Sequence, residues 1–162
     1  MQILRQIEFL VELTMKRNSS ICQLLTNEDR ERFILTYFSN LANELTYHQK
    51  CLIGSIQASG ITIGDGRDQS LEELHRLFNI CPSIPFDILI WRAGEMRPKF
   101  RPYVSASFAK EEAELYGNAH SIVVKKGSKI FPLGSLHKDY GNTEVIIATN
   151  SIKRTLKGFV TE

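Results

Sequence analysis

Long apolar runs are missing from this 162-residue chain, so no segment reads as a membrane span. The nearest approach is the opening stretch, "MQILRQIEFLVELTMKRNSS". Arg5, Glu8 and Glu12 interrupt it and no small-residue cleavage site follows, which argues against a secretory leader and predicts an amphipathic helix. Cysteine is scarce. Cys22, Cys51 and Cys81 are odd in number and far apart, with no CxxC pair or zinc spacing; they read as reduced, mostly buried thiols of a cytoplasmic protein. Charge of one sign is also lacking: 20 Lys and Arg against 18 Asp and Glu leave a net +2, too little by itself to call for nucleic acid or an anionic membrane. A third glycine is absent after Gly64-x-Gly66, where Gln69 stands instead, and no alternating β/α pattern surrounds the pair; a dinucleotide-binding loop is excluded there. No internal repeat or low-complexity segment is visible.

What is present suits one globular domain over 1–162, with 43% hydrophobic and 23% charged residues. Residues 1–82 form a helical lobe. Its second helix starts at Thr26 as N-cap, with Glu28, Asp29 and Glu31 favouring the positive end of the dipole. The expected core stripe of that helix is Ile34, Tyr37, Phe38, Leu41, Leu45, His48 and Leu52, fading near Gly54. Asp65-Gly66 signals a turn, and Ser70-x-x-Glu73 reads as a capping box opening a helix that stops before Pro82.

Residues 83–162 read as a β core. "FDILIWRAG" and "FRPYVSAS" are strands, "FAKEEAELYG" a short helix with Ala109, Ala113 and Tyr116 inward, and "HSIVVKKG", "KIFPLG", "TEVIIAT" and "KRTLKGFV" further strands. Helices followed by strands predict an α+β fold: a helical lobe packed on a mostly antiparallel two-sheet β core.

Three features of the β half bear on chemistry. Arg92 closes a strongly apolar strand and precedes Ala93-Gly94; Ser105-x-Ser107 ends the next strand; Glu144 opens another after the polar loop "GSLHKDYGNTE". Each alone has a bland reading: a rim salt bridge, the solvent face of an edge strand, a solvated glutamate. A charge at the flank of a buried strand is nevertheless costly to place without a partner. In this order, "IWRAG", "YVSASFAKEEAELYG" and "GNTEVII" resemble the R-S-E class of mono-ADP-ribosyltransferases, over about residues 86–150, and "KIFPLGSL" resembles that family's strand leading into its substrate loop.

The resemblance implies a bacterial or phage effector or toxin that moves ADP-ribose from NAD, as co-substrate and without a metal, to a macromolecular acceptor. A protein acceptor is favoured over nucleic acid, and no membrane partner is implied. Localisation is then cytoplasmic, in the producing cell or in a target cell. The bond broken is glycosidic and generates an oxocarbenium-like sugar. The leaving nicotinamide is already a pyridinium, so one carboxylate suffices where glycosidases need two. By resemblance Glu144 is that carboxylate, Arg92 holds NAD phosphate, and Ser105 binds the nicotinamide ribose and positions Glu144. Ser107 braces the strand; Ala93 and Gly94 lend backbone near the nicotinamide; Phe108 or Tyr103 supplies an apolar wall. Period two along a strand puts both serine hydroxyls on one face.

Three departures matter. The family's S-T-S is Ser-Ala-Ser here. About a dozen residues separate Arg92 from Ser105, leaving only "EMRPKFRP" with Arg97, Lys99 and Arg101, read as solvated. Asn142 stands two residues before Glu144, where arginine-modifying members carry glutamate and asparagine- or cysteine-modifying members glutamine. A carboxylate there can take a proton from a guanidinium, whereas an amide can only orient a nucleophile, so arginine is not the expected acceptor. His137, Asp139 and Tyr140 are candidates to position the acceptor, with Tyr140 stacking on it. Competing readings are NAD hydrolysis at the same site and a non-enzymatic interaction protein on a degenerate scaffold. A cysteine hydrolase using Cys51 or Cys81 has no local sequence support.

Overall fold

The computed structural model describes residues 5, 21–59, 68–96, 102–137, 139, 141–156 and 158–161. Apart from residue 5, the helix expected over the first 16 residues lies outside them, as do the Asp65-Gly66 turn, Arg97, Lys99, Arg101 and Tyr140.

A two-residue strand, β1 (Ile21–Cys22), leads into helix α1 (Asn27–Tyr37). Thr26 is extended at φ −107°, and its Oγ1 accepts from the Asp29 N–H at 3.1 Å, with Glu28 and Asp29 in the first turn. The cap expected from the sequence is therefore in place. The long helix expected to follow is broken into α1, α2 (Leu41–Glu44) and α3 (Tyr47–Ser59). Leu45 turns extended at φ −91°, ψ 135°. Thr46 and Gln49 then form a reciprocal capping box: the Thr46 N–H donates to Gln49 Oε1 (2.9 Å) and the Gln49 N–H to Thr46 Oγ1 (3.2 Å). This break rotates the apolar stripe. Leu52 and Ile53 are buried, while His48 and Cys51, expected inside, are exposed.

Helix α4 (Asp68–Ile80) already contains Ser70, so the expected capping position is interior to the helix. Leu74, Leu77 and Phe78 form its buried face.

The β half contains β2 (Asp87–Ala93), β3 (Tyr103–Ser107), helix α5 (Lys110–Glu114), β4 (Ala119–Val124), β5 (Ile130–Pro132), the single turn α6 (Gly134–His137), β6 (Glu144–Ala148), β7 (Ile152–Thr155) and β8 (Gly158–Thr161). "KRTLKGFV" is thus a hairpin rather than one strand. Gly158 (φ +149°) makes it possible: a Cβ there would lie 2.5 Å from the Ser121 carbonyl oxygen. The hydrogen-bonded order is β5-β6-β3-β2-β4-β8-β7, with β1 parallel to β2 and β4 parallel to β8. The remaining pairs are antiparallel.

Two halves are evident in the registers. β2 pairs with β4 from Ile88↔Val124 to Ala93↔Ala119, and β3 with β6 from Tyr103↔Ala148 to Ser107↔Glu144. β2 and β3 themselves share a single pair, Trp91↔Ser107. The strands therefore form one mostly antiparallel sheet, nearly split at that seam, rather than the two sheets expected, because the Trp91↔Ser107 pair keeps β2 and β3 joined.

Ile88, Ile90, Ile122, Val124, Val145, Ile146 and Ile147 carry the β side of the core. The helical lobe docks through Phe33, whose ring meets Phe38, Phe86 and Phe108 at centroid distances of 5.4–6.1 Å. Phe108 directly follows Ser107, so the lobe is anchored at the seam. Such buried aromatics supply both area and edge-to-face attraction.

Candidate active site

The seam between β2 and β3 opens into a cleft of about 520 Å³, within the size range of small-molecule sites. Arg92, Ala93, Ser105, Ser107, Asn142 and Glu144 all line it. Three strands deliver the three chemical groups that the sequence order suggested, β2 the guanidinium, β3 the hydroxyls and β6 the carboxylate.

Arg92 stands at the end of β2, where Ile88 and Ile90 have carried the chain out of the core. Its Nη1 donates to the Ser105 carbonyl at 2.5 Å. The arginine therefore ties β2 to β3 where ordinary ladder bonds stop. This bond takes the Ser105 main chain, not its hydroxyl.

Ser107 is buried, and its hydroxyl is used twice. It donates to Thr143 Oγ1 at 2.9 Å and accepts from the Ala109 N–H at 3.0 Å. The Phe108 N–H donates to the Thr143 carbonyl at 2.9 Å. The two bonds to Thr143 pin the loop before β6 to the end of β3, and the Ala109 bond fixes the turn into α5.

Glu144 is held through its backbone from both sides. Its N–H donates to Asn142 Oδ1 (2.9 Å), and its carbonyl accepts from the Leu133 N–H (3.0 Å). The Asn142 N–H reaches the Asp139 carbonyl, and the Asp139 N–H the Gly134 carbonyl, each at 3.1 Å. Gly134 is required by this folding-back, since a Cβ would lie 2.6 Å from the Asp139 backbone oxygen and 3.1 Å from Ile34. Asn142 thus spends its amide oxygen on Glu144 and offers the cleft its NH₂.

Other expectations are corrected by position. Phe108 is 1% exposed and packed against Phe33, and Tyr103 is buried with its hydroxyl 2.6 Å from His75 Nδ1. Neither walls the cleft. Tyr103 packs against Phe78 and His75 of α4, and Phe108, just past the end of β3, against Phe33 of α1. Gly94 (φ +93°) turns into a neighbouring hollow of about 660 Å³ with His120, Arg154 and Phe159, although a Cβ on it would still be only 3.8 Å from Arg92 Nη2.

The cleft also contains residues that sequence reasoning passed over, chiefly Trp91, Glu112, Tyr116 and Thr143. Trp91 carries Lys110 over its ring at 5.1 Å. Glu112, Ala113 and Tyr116 stand at i, i+1 and i+4, and that spacing could have assigned Glu112 to the face Ala113 and Tyr116 mark. Tyr116, expected inward, is 83% exposed at the rim. Burial pushes the Cys81 thiol up to about 12, the opposite of a nucleophilic thiolate. Among the described residues no group of three His, Cys, Asp or Glu is placed to hold a metal ion, and no helix is long and apolar enough to cross a membrane.

No family profile matches the sequence, and no curated protein does either. Solved structures do match. An ADP-ribosyltransferase from Clostridium botulinum superposes with a TM-score of 0.55 at 12% identity, over 88% of this chain and 97% of that one. An ADP-ribosyltransferase toxin from Paenibacillus larvae gives 0.53 at 13% identity, over 85% and 95%. The split sheet, the helical lobe docked on it and these superpositions together show that the chain has an ADP-ribosyltransferase-like fold.

Proposed function

We propose that this chain cleaves the nicotinamide–ribose bond of NAD and transfers ADP-ribose to a macromolecular acceptor, a protein side chain other than arginine. The observation that supports it is the meeting of Arg92, Ser105 and Glu144, from three different strands, in one cleft of suitable size. A fold of this kind hosts the activity in the two superposed transferases, but fold alone does not assign chemistry; the site does.

In this reading NAD supplies a leaving group that departs as neutral nicotinamide, taking the bonding pair to its ring nitrogen. Positive charge grows on the ribose, and Glu144 meets it with fixed negative charge. The Asn142 and Leu133 bonds fix the Glu144 main chain from both sides, which sets where its side chain starts. Arg92 binds phosphate while tied to β3, which sets the distance between phosphate and carboxylate. The amide at Asn142 cannot accept the proton of a guanidinium, which supports an acceptor other than arginine.

The test is release of nicotinamide from NAD by the purified chain, with Glu144→Gln alongside. The native chain releases nicotinamide, and the variant, melting normally, is slower by roughly 10²–10³-fold. A native chain that neither binds NAD nor releases nicotinamide overturns the proposal and leaves the non-enzymatic reading.

A further inference from the structure

The cleft contains a second carboxylate with a task. Any acceptor with a neutral X–H group must lose that proton as its bond to the ribose forms, so a base has to lie within reach. Three carboxylates line the cleft among the described residues: Glu112, Asp139 and Glu144. Glu144 is committed to the ribose in the function proposed above, on which this inference rests. Asn142 has its oxygen engaged by the Glu144 N–H, and the Thr143 hydroxyl accepts from Ser107. Asp139 folds over its own turn, with Oδ1 3.5 Å from where a Cβ on Gly141 would lie.

Glu112 is differently placed. It sits on α5, the helix packed over β2, β3 and β4, on the face shared with Ala113 and Tyr116, and its element is bolted to the seam through the Ser107–Ala109 bond. The nearby cation is Arg30 of α1, itself fixed by the Leu24 carbonyl at 3.0 Å and by Asn27 Oδ1. Burial lowers the Arg30 guanidinium from its ordinary value, and the negative charges of Asp29 and Glu112 oppose that fall. Glu112 therefore lines the cleft within electrostatic reach of one fixed positive charge. Tyr116, one turn further on and exposed, flanks the entrance an acceptor side chain would use.

We propose that Glu112 is the general base of the transfer step, taking the proton of a hydroxyl, thiol or carboxamide acceptor that enters beside Tyr116. The X–C1′ bond forms as the C1′–nicotinamide bond breaks, its electron pair leaving with nicotinamide. The acceptor proton passes to Glu112 and later to solvent. Hydrolysis depends less on Glu112, because an attacking water can hand its proton to bulk water, which a seated acceptor excludes.

The experiment uses the full chain with labelled NAD, measuring nicotinamide release alone and label transfer into the protein fraction of a cell lysate. The ratio of transfer to release is compared for native chain, Glu112→Gln, Glu112→Asp and Asp139→Asn. Glu112→Gln lowers the ratio by roughly 10²-fold or more, and Glu112→Asp recovers part of it. The other charged groups lining the cleft, Arg92, Asp139 and Glu144, are unchanged in Glu112→Gln. A ratio unchanged in Glu112→Gln, an equal fall in both activities, or the same effect from Asp139→Asn instead overturns the assignment. A native chain without nicotinamide release overturns the underlying function, and this step with it.

Discussion

The two serines of the S-x-S stretch should separate cleanly under mutation. Ser107 is buried and its hydroxyl joins Thr143 Oγ1 and the Ala109 N–H. Ser107→Ala removes two neutral hydrogen bonds, each worth a net of about 0.5–1.5 kcal/mol, and strands two partly buried partners. The expected loss is about 2 kcal/mol, or about 4–8 °C of melting temperature in a chain of this size. Ser105 holds Arg92 through its carbonyl, a bond that Ser105→Ala leaves intact. That variant should melt like the native chain but release nicotinamide more slowly by roughly 10–10²-fold, the worth of one hydrogen bond to a charged or charging group. Thermal melting beside nicotinamide release decides the matter, and a Ser107/Thr143 double-mutant cycle should give a coupling of about 0.5–3 kcal/mol. If Ser105→Ala costs the stability and Ser107→Ala is silent, the division of labour drawn here is wrong.

Two further outcomes follow from the same contacts. Gly134→Ala places a Cβ 2.6 Å from the Asp139 backbone oxygen; overpacking of this kind costs about 1–3 kcal/mol. Chemical denaturation should register that loss and nicotinamide release should fall with it, since the displaced turn carries Asn142 and Glu144. Stability should also decline in alkali. Burial pushes Tyr37 and Tyr103 from 10.0 up to about 12, and Cys81 from 9.0 up to about 12. The unfolded chain therefore gives up these protons first, so their stabilisation is complete below pH 9 and is lost as pH rises through 12. Tyr103→Phe should flatten the decline between pH 10 and 12 in a melting series; an unaltered slope would mean that Tyr103 is not shielded as described.

Local signals in the sequence carried much of the architecture. Thr26, with two acids behind it, capped its helix, and the apolar strands near residues 87, 103, 119, 130 and 144 formed within a few residues of their expected ends. Each of those features depends on neighbours a few positions away, which is why composition and period could reach them. The Thr46-x-x-Gln49 box that breaks the long helix is equally local, but in the bare sequence the longer apolar stripe outweighs it.

Contacts between distant segments were another matter. The order Arg, Ser-x-Ser, Glu is written in the chain, but their meeting depends on a β2–β3 seam closed by one pair and an arginine, which no period encodes. Nor does the sequence say which face of β3 the helical lobe will cover. Packing against Phe33 and His75 sent Phe108 and Tyr103 inward and left Trp91, Glu112 and Tyr116 to line the cleft. The sequence by itself determined which residues could do chemistry and roughly which strands bear them; tertiary packing alone decided which faces point into the cleft, because burial of apolar side chains is a property of the assembled surface and not of the strand that carries them.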